Sequence, residues 1–221
     1  DFNDQGQCFL TCCVIPHLFH VVQGARYFRQ AGTHFNPFTF ADIPTIAKHR
    51  HWVGPQPHLG NSYSGSAGGG HAHSGCVIYL GGSWPAKYRN QIFMNNIHGA
   101  RLNQDQLAAS GSGYVGDRAP DFLLTNDQAS QIVYFRSGPD GQLYMIDWYD
   151  LNQCHRTEKE VHDASNGRVF RVVYNDAKPV VVDLASKNDG ELVSYQLDAN
   201  DWYVRTARRM LQERFVAGKL T

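Results

Sequence analysis

The sequence predicts a mainly β protein: about three blade-like units of a β-propeller over residues 1–180, then a short α-helical segment over 187–221. Three observations point there. The first is the stretch Tyr134-Phe-Arg-Ser-Gly-Pro-Asp-Gly-Gln-Leu-Tyr-Met-Ile-Asp-Trp148 followed by Gly167-Arg-Val-Phe-Arg-Val-Val-Tyr174, which reads strand, tight turn, strand, loop, strand. The second is that this module recurs. The third is a change of pattern after Pro179, where turn-punctuated apolar runs give way to helical periodicity.

In the best-formed unit, Pro139 presets φ for the turn and Gly141 permits the positive φ at its other end. Leu143–Asp147 and Phe170–Tyr174 carry the apolar and β-branched residues that suit strands. Asp4-Gln-Gly-Gln-Cys-Phe-Leu-Thr-Cys12 matches this unit when Gly6 is laid on Gly141, and Pro16–Val22 supplies the next strand. Residues 88–103 read as two further strands joined near Asn96–Gly99. Between the units, 35–40 is aromatic and turn-rich, Ile43–Arg50 reads as one or two helical turns, and 61–70 as a flexible Gly/Ser loop. Tyr114–Pro120 reads as a connecting loop. Near the end, 190–197 and 200–214 read as helices. Asn200 is the expected N-cap, Tyr203, Ala207, Met210 and Leu211 share one face, and Arg205, Arg208, Arg209 and Arg214 form a solvated surface.

The 221 residues carry 20 basic and 20 acidic side chains, so nucleic acid is not the expected partner. No apolar run is long enough to span a membrane. The chain opens inside a blade, which suggests a piece of a longer protein. Five cysteines, at 8, 12, 13, 76 and 154, give no paired framework and read as buried thiols, with no shared metal site at adjacent Cys12 and Cys13. Eleven histidines are the more telling count. If residues 71–73 are extended, His71 and His73 share one face and suit a metal or a substrate hydroxyl. Asp147, Asp150 and His155, with Trp148 and Tyr149 between, suit a sugar or a hard cation, or else turn chemistry.

An ordered set of motifs carries a resemblance: His71-Ala-His-Ser-Gly-Cys-Val-Ile-Tyr79, Trp84-Pro85, Tyr88-Arg89, Phe93-Met-Asn-Asn-Ile-His-Gly99, Gly138–Tyr144, Asp147-Trp-Tyr-Asp150 and Gly167–Arg171. Together they resemble the membrane-bound dehydrogenase-like proteins of planctomycetes and verrucomicrobia, large secreted proteins related to glucose/sorbosone dehydrogenases. The resemblance implies a six-bladed propeller followed by HEAT-like helices, able to hold pyrroloquinoline quinone (PQQ) and calcium. It implies oxidation of a sugar or other alcohol, electron transfer to a c-type cytochrome domain carrying haem c further along the protein, and a periplasmic or extracellular setting with membrane association through other parts. On this reading His98 takes the place of the family's quinone-contacting lysine, and Gln131 and Val133 that of its two arginines. The implied catalytic residues are His98 and His73, the cofactor contacts His98 and Arg101, and the substrate contacts His71, Asp147, Trp148 and Asp150. The alternative reading is a non-catalytic propeller binding glycans or a protein partner; no nucleophile–base pair supports a hydrolase or lyase.

Overall fold

The computed structural model describes residues 1–13, 16–29, 32, 35, 41–54, 63–152, 158 and 162–220. The aromatic residues of 36–40, together with Cys154 and His155, lie outside them. The fold is mainly β, with three sheets and two α-helices among the described residues. β1 (Cys8–Thr11) and β2 (Leu18–Val21) form a two-stranded antiparallel sheet. β3 (Cys76–Ile78), β4 (Ile92–Asn96), β5 (Arg101–Ser110) and β6 (Gly113–Arg118) lie side by side in that order, and β7 (Leu123–Leu124) pairs with β5. β8 (Ser130–Ser137), β9 (Leu143–Tyr149) and β10 (Arg168–Val172) form the third sheet, with β9 in the middle.

The repetition is visible in the turns. Gly6, Asn90 and Gly141 all have positive φ, at 76°, 62° and 71°. Each is followed by a glutamine and then, one residue later, by β1, β4 or β9. Asn3 N donates to Gln7 O and Gly6 N to Asn3 O; Gly138 N and Gly141 N repeat the pattern with Gln142 O and Gly138 O. The glutamine side chains act alike. Gln7 Oε1 lies 2.8 Å from His20 Nε2 in β2, Gln91 Oε1 accepts from Leu107 N in β5, and Gln142 Oε1 accepts from Tyr174 N just past β10. Each turn thus ties its own unit to a later segment through one buried or half-buried amide.

The chain forms two compact units. The first comprises Asp1–Ile78, Asn90–Phe135 and Met145–Phe170; the second comprises Tyr79–Arg89, Arg136–Tyr144 and Arg171–Thr221. In the first, Phe9, Leu18, Ile92, Phe93, Met94, Leu102 and Ile132 are buried. In the second, α1 (Asp189–Ser194) and α2 (Asp201–Val216) pack through Leu184, Leu192 and Ala207, flanked by Tyr203, Met210 and Leu211. Asn200 caps α2, accepting from Trp202 N, and its Nδ2 donates to Gly138 O and Pro139 O. No helix among the described residues is long and apolar enough to cross a membrane.

Several expectations are corrected. Gly113–Arg118 is a full strand paired with β5, not a loop; its two glycines masked the period-2 signal. Ile43–Arg50 is not helical: Ala47 bridges to Gly116, and Ile46 N donates to Leu18 O. The expected flexible loop is, over Ser64–Gly70, a packed turn with Ser64 and Gly68–Gly70 buried. Arg214 is not simply solvated, since its Nη1 pairs with Asp189 Oδ1 at 2.6 Å and its Nη2 donates to Lys187 O. Of the free cysteines described, Cys13 is exposed and Cys8, Cys12 and Cys76 are only partly buried. Burial, with Cys13 and Cys76 nearby, pushes the Cys12 thiol up, away from reactive thiolate.

A candidate metal centre of three histidines and an aspartate

Three segments of the first unit bring His17, His49, His51 and Asp105 together. Asp105 lies within β5, opposite Ile92 of β4 and Arg118 of β6. His17 precedes β2, its carbonyl accepting from Cys12 N. His49 and His51 follow the segment pinned to Leu18 and Gly116, where Lys48 N donates to Gly116 O. A helix would turn residues i and i+2 about 200° apart, whereas this bent, non-helical path brings both rings together, with their Nε2 atoms 3.1 Å apart. Gly68 closes the far side: its φ is 138°, and a Cβ there would lie 2.6 Å from His51 Cδ2. Gly68 is therefore packed against the ring of one candidate ligand.

The nitrogen and oxygen atoms converge. His17 Nε2 lies 2.8 Å from Asp105 Oδ2 and His49 Nε2 lies 3.1 Å from Asp105 Oδ1. His51 Nε2 is 3.6 Å from Oδ1 and 3.1 Å from His49 Nε2. One ligand atom from each residue can be chosen so that all four lie within 4.8 Å of one another. Four ligands on a tetrahedral ion at ~2.0–2.1 Å are about 3.3–3.4 Å apart, which these separations bracket. His17, His51 and Asp105 are at most 2% exposed, so His49 is the ligand nearest solvent.

Asp105 Oδ1 is buried and accepts no hydrogen bond among the described residues, a costly state for a carboxylate oxygen. Burial pushes the Asp105 carboxyl up, but the interactions with His17, His49 and His51 outweigh it and hold it well below the usual range. Burial first, and like-charge repulsion from His17 and His49, lower His51 to about 4 although Asp105 pulls the other way. His73 is driven well below its ordinary value by burial and by His17 and His51. A carboxylate beside three imidazoles is the donor set of a first-row transition ion, not of calcium, which takes oxygen ligands.

The site residues expected from sequence are dispersed. Ala72 has φ 80°, so residues 71–73 are not extended and the two histidines part. His71 stacks on His98, ring centroids 4.5 Å apart, while His73 joins the centre through His51. Arg101 Nη1 pairs with Asp121 at 2.7 Å and donates to Gly65 O, and its Nε donates to Gly99 O. Asp147 is buried and accepts from Ser130 Oγ, Gln131 N and, through two bonds, Arg168. Asp150 accepts from Asn152 N, which is turn chemistry, and from Asp163 N thirteen residues on. Trp148, between these two buried carboxylates, is exposed. Gln131 donates its amide to Asp150 O and Asn152 O. Reasoning from sequence passed over His17, His49, His51 and Asp105. The available signal was His49-Arg50-His51, a second His-x-His beside the one at 71–73.

No curated protein matches this chain. Among solved structures it is similar to the crystal structure of a candidate oxidoreductase (glucose dehydrogenase) from Thermus thermophilus, with 14% identity and a TM-score of 0.46 over 77% of this chain. The chain spans 42% of that protein's length. Residues 1–176 match a family described as "Domain of unknown function (DUF7133)", a stretch that holds all three sheets and every residue of the His–Asp centre, and the chain belongs to that family.

Proposed function

We propose that this chain is a metal-dependent, oxidoreductase-like domain in which His17, His49, His51 and Asp105 hold one first-row transition ion. The observation that carries the metal is Asp105 Oδ1, a buried carboxylate oxygen without a hydrogen bond among the described residues, faced by the Nε2 atoms of His49 and His51. A bound ion would satisfy it, and by accepting a fifth ligand on the His49 side it would polarise a hydroxyl or water brought there. The oxidoreductase half rests on the sequence resemblance. The substrate class is a sugar or other alcohol. Its carbinol carbon loses the C–H and O–H hydrogens and becomes a carbonyl, two electrons leave singly to a c-type cytochrome, and two protons pass to solvent.

The residues that the resemblance assigns to a quinone do not make a cradle for a tricarboxylate. His98 stacks on His71, Arg101 is paired with Asp121, and Gln131, which stands where the family has an arginine, commits its amide to backbone carbonyls. No step is routed through PQQ. A second reading, a glycan- or partner-binding domain with a structural ion, draws on the near-complete burial of three of the four ligands.

The test is metal analysis of the purified protein, then dye-linked oxidation of a panel of aldoses and alcohols by loaded and stripped protein. One equivalent of metal, with activity lost on stripping and restored on reloading, supports the proposal. Metal without activity leaves the structural ion. Failure to take up zinc, iron, manganese, copper or nickel sinks both.

A further inference from the structure

Resting on the metal reading, the geometry points to His73 as a positioning residue: it holds His51 in the tautomer and ring orientation that turn Nε2 toward Asp105. His73 Nδ1 lies 2.6 Å from the carbonyl oxygen of Asn95, and its Nε2 lies 3.0 Å from His51 Nδ1. A carbonyl only accepts, so Nδ1 of His73 carries the proton and its Nε2 is the acceptor. His51 must then donate from Nδ1, which leaves its Nε2 lone pair aimed at His49 and Asp105.

The anchor of this chain is rigid. Asn95 belongs to β4, between β3 and β5. Its Nδ2 donates to Ile132 O and Ser74 Oγ, at 2.6 and 2.7 Å, and its Oδ1 accepts from Gly75 N at 2.6 Å. Gly68 backs the His51 ring from another side. His51 is thus held by a neighbouring imidazole, where a metal-bound histidine more often finds a carboxylate or carbonyl. A neutral acceptor orients the ligand without adding a second buried negative charge beside Asp105.

The test compares wild type, His73→Phe and His73→Gln, loaded with cobalt(II) and titrated against a competing chelator. Gln retains an acceptor at the Nε2 position, and Phe keeps bulk without one. The expected result is a 10–100-fold weaker affinity for His73→Phe, with a shifted cobalt absorption spectrum, and substantial rescue by His73→Gln. Wild-type cobalt binding with an unchanged affinity and spectrum in His73→Phe overturns the positioning role alone. Failure of wild type to bind any metal removes the metal reading with it. If His73→Phe does not fold, histidine-labelled NMR of zinc-loaded wild type decides: a protected His51 Nδ1 proton coupled to His73 Nε2 supports the role, and a proton on His51 Nε2 overturns it.

Discussion

The rings of His17 and His51 stack with centroids 4.0 Å apart and planes 18° from parallel, yet their Nε2 atoms lie nearest opposite oxygens of one carboxylate, Asp105. His17 takes Oδ2 and His51 faces Oδ1. The carboxylate is buried, and its Oδ1 is left to be satisfied by a further partner. That partner is the ion of the proposed function.

Removing the Asp105 charge while keeping its shape should remove the ion. Asp105→Asn is expected to lose metal affinity by more than the 10–100-fold typical of outer contacts. Adding zinc at about 100 times its Kd to wild type should raise stability by about 2.7 kcal/mol. Thermal melts with and without chelator check both; an Asp105→Asn protein with wild-type zinc content contradicts the assignment.

Gly68 is tested by adding one carbon. Gly68→Ala forces a Cβ toward the His51 ring at a φ of 138°, at a cost of about 2–4 kcal/mol from crowding and backbone strain. Metal affinity should fall with stability, because the displaced atoms belong to a ligand. Urea melts and the chelator titration read the two effects separately.

The turn glutamines predict a loss that involves no residue of the His–Asp centre. Gln142 Oε1 accepts from both Trp84 Nε1 and Tyr174 N, so Gln142→Leu leaves two donors unpaired. The expected destabilisation is about 2–3 kcal/mol, with metal content unchanged. A loss below about 0.5 kcal/mol in a urea melt would show that water replaces the amide freely.

A pH dependence should localise to α1. Glu191 closes a capping box by accepting from Asn188 N, and it pairs with Lys187. These interactions, the Asn188 hydrogen bond first, hold its carboxyl below the ordinary 4.5. The unfolded chain then binds more protons, so this contribution is present above pH 4.5 and is lost as pH falls through the lower folded value. Glu191→Gln should flatten that part of the stability profile relative to wild type. Parallel melts from about pH 6 to about pH 3 measure the difference.

The local elements were largely legible. Turn residues announce themselves, so Gly6 on Gly141 is matched by a shared hydrogen-bond pattern. The phase of the strands was less so. In β1 the buried residue is Phe9, while in β9 it is Leu143, Met145 and Asp147. Aligned turns thus do not carry the same face inward, because each strand answers to its own neighbours. Gly116 shows the same limit. It weakens the strand pattern of β6, and a Cβ there would lie 2.6 Å from Leu18 Cδ2 and 3.6 Å from Asp105 Oδ2. Its reason lies in a segment nearly a hundred residues away.

Strand propensity, turn chemistry, helix caps and the apolar face of α2 depend on residues a few places apart, and those could be read along the chain: the β character, the repetition and the switch to helices near the end. Which histidines meet depends on sheet pairing between distant segments. His17, His49, His51 and Asp105 share no local pattern beyond one His-x-His, and they converge because β5 carries Asp105 beneath a segment strung between Leu18 and Gly116. The same long-range packing turned His71 toward His98, committed Arg101 to Asp121 and buried Asp147 against Arg168. Only folded backbone could assign those partners, because hydrogen bonds and ion pairs are decided at about 3 Å, a distance that sequence separation does not encode.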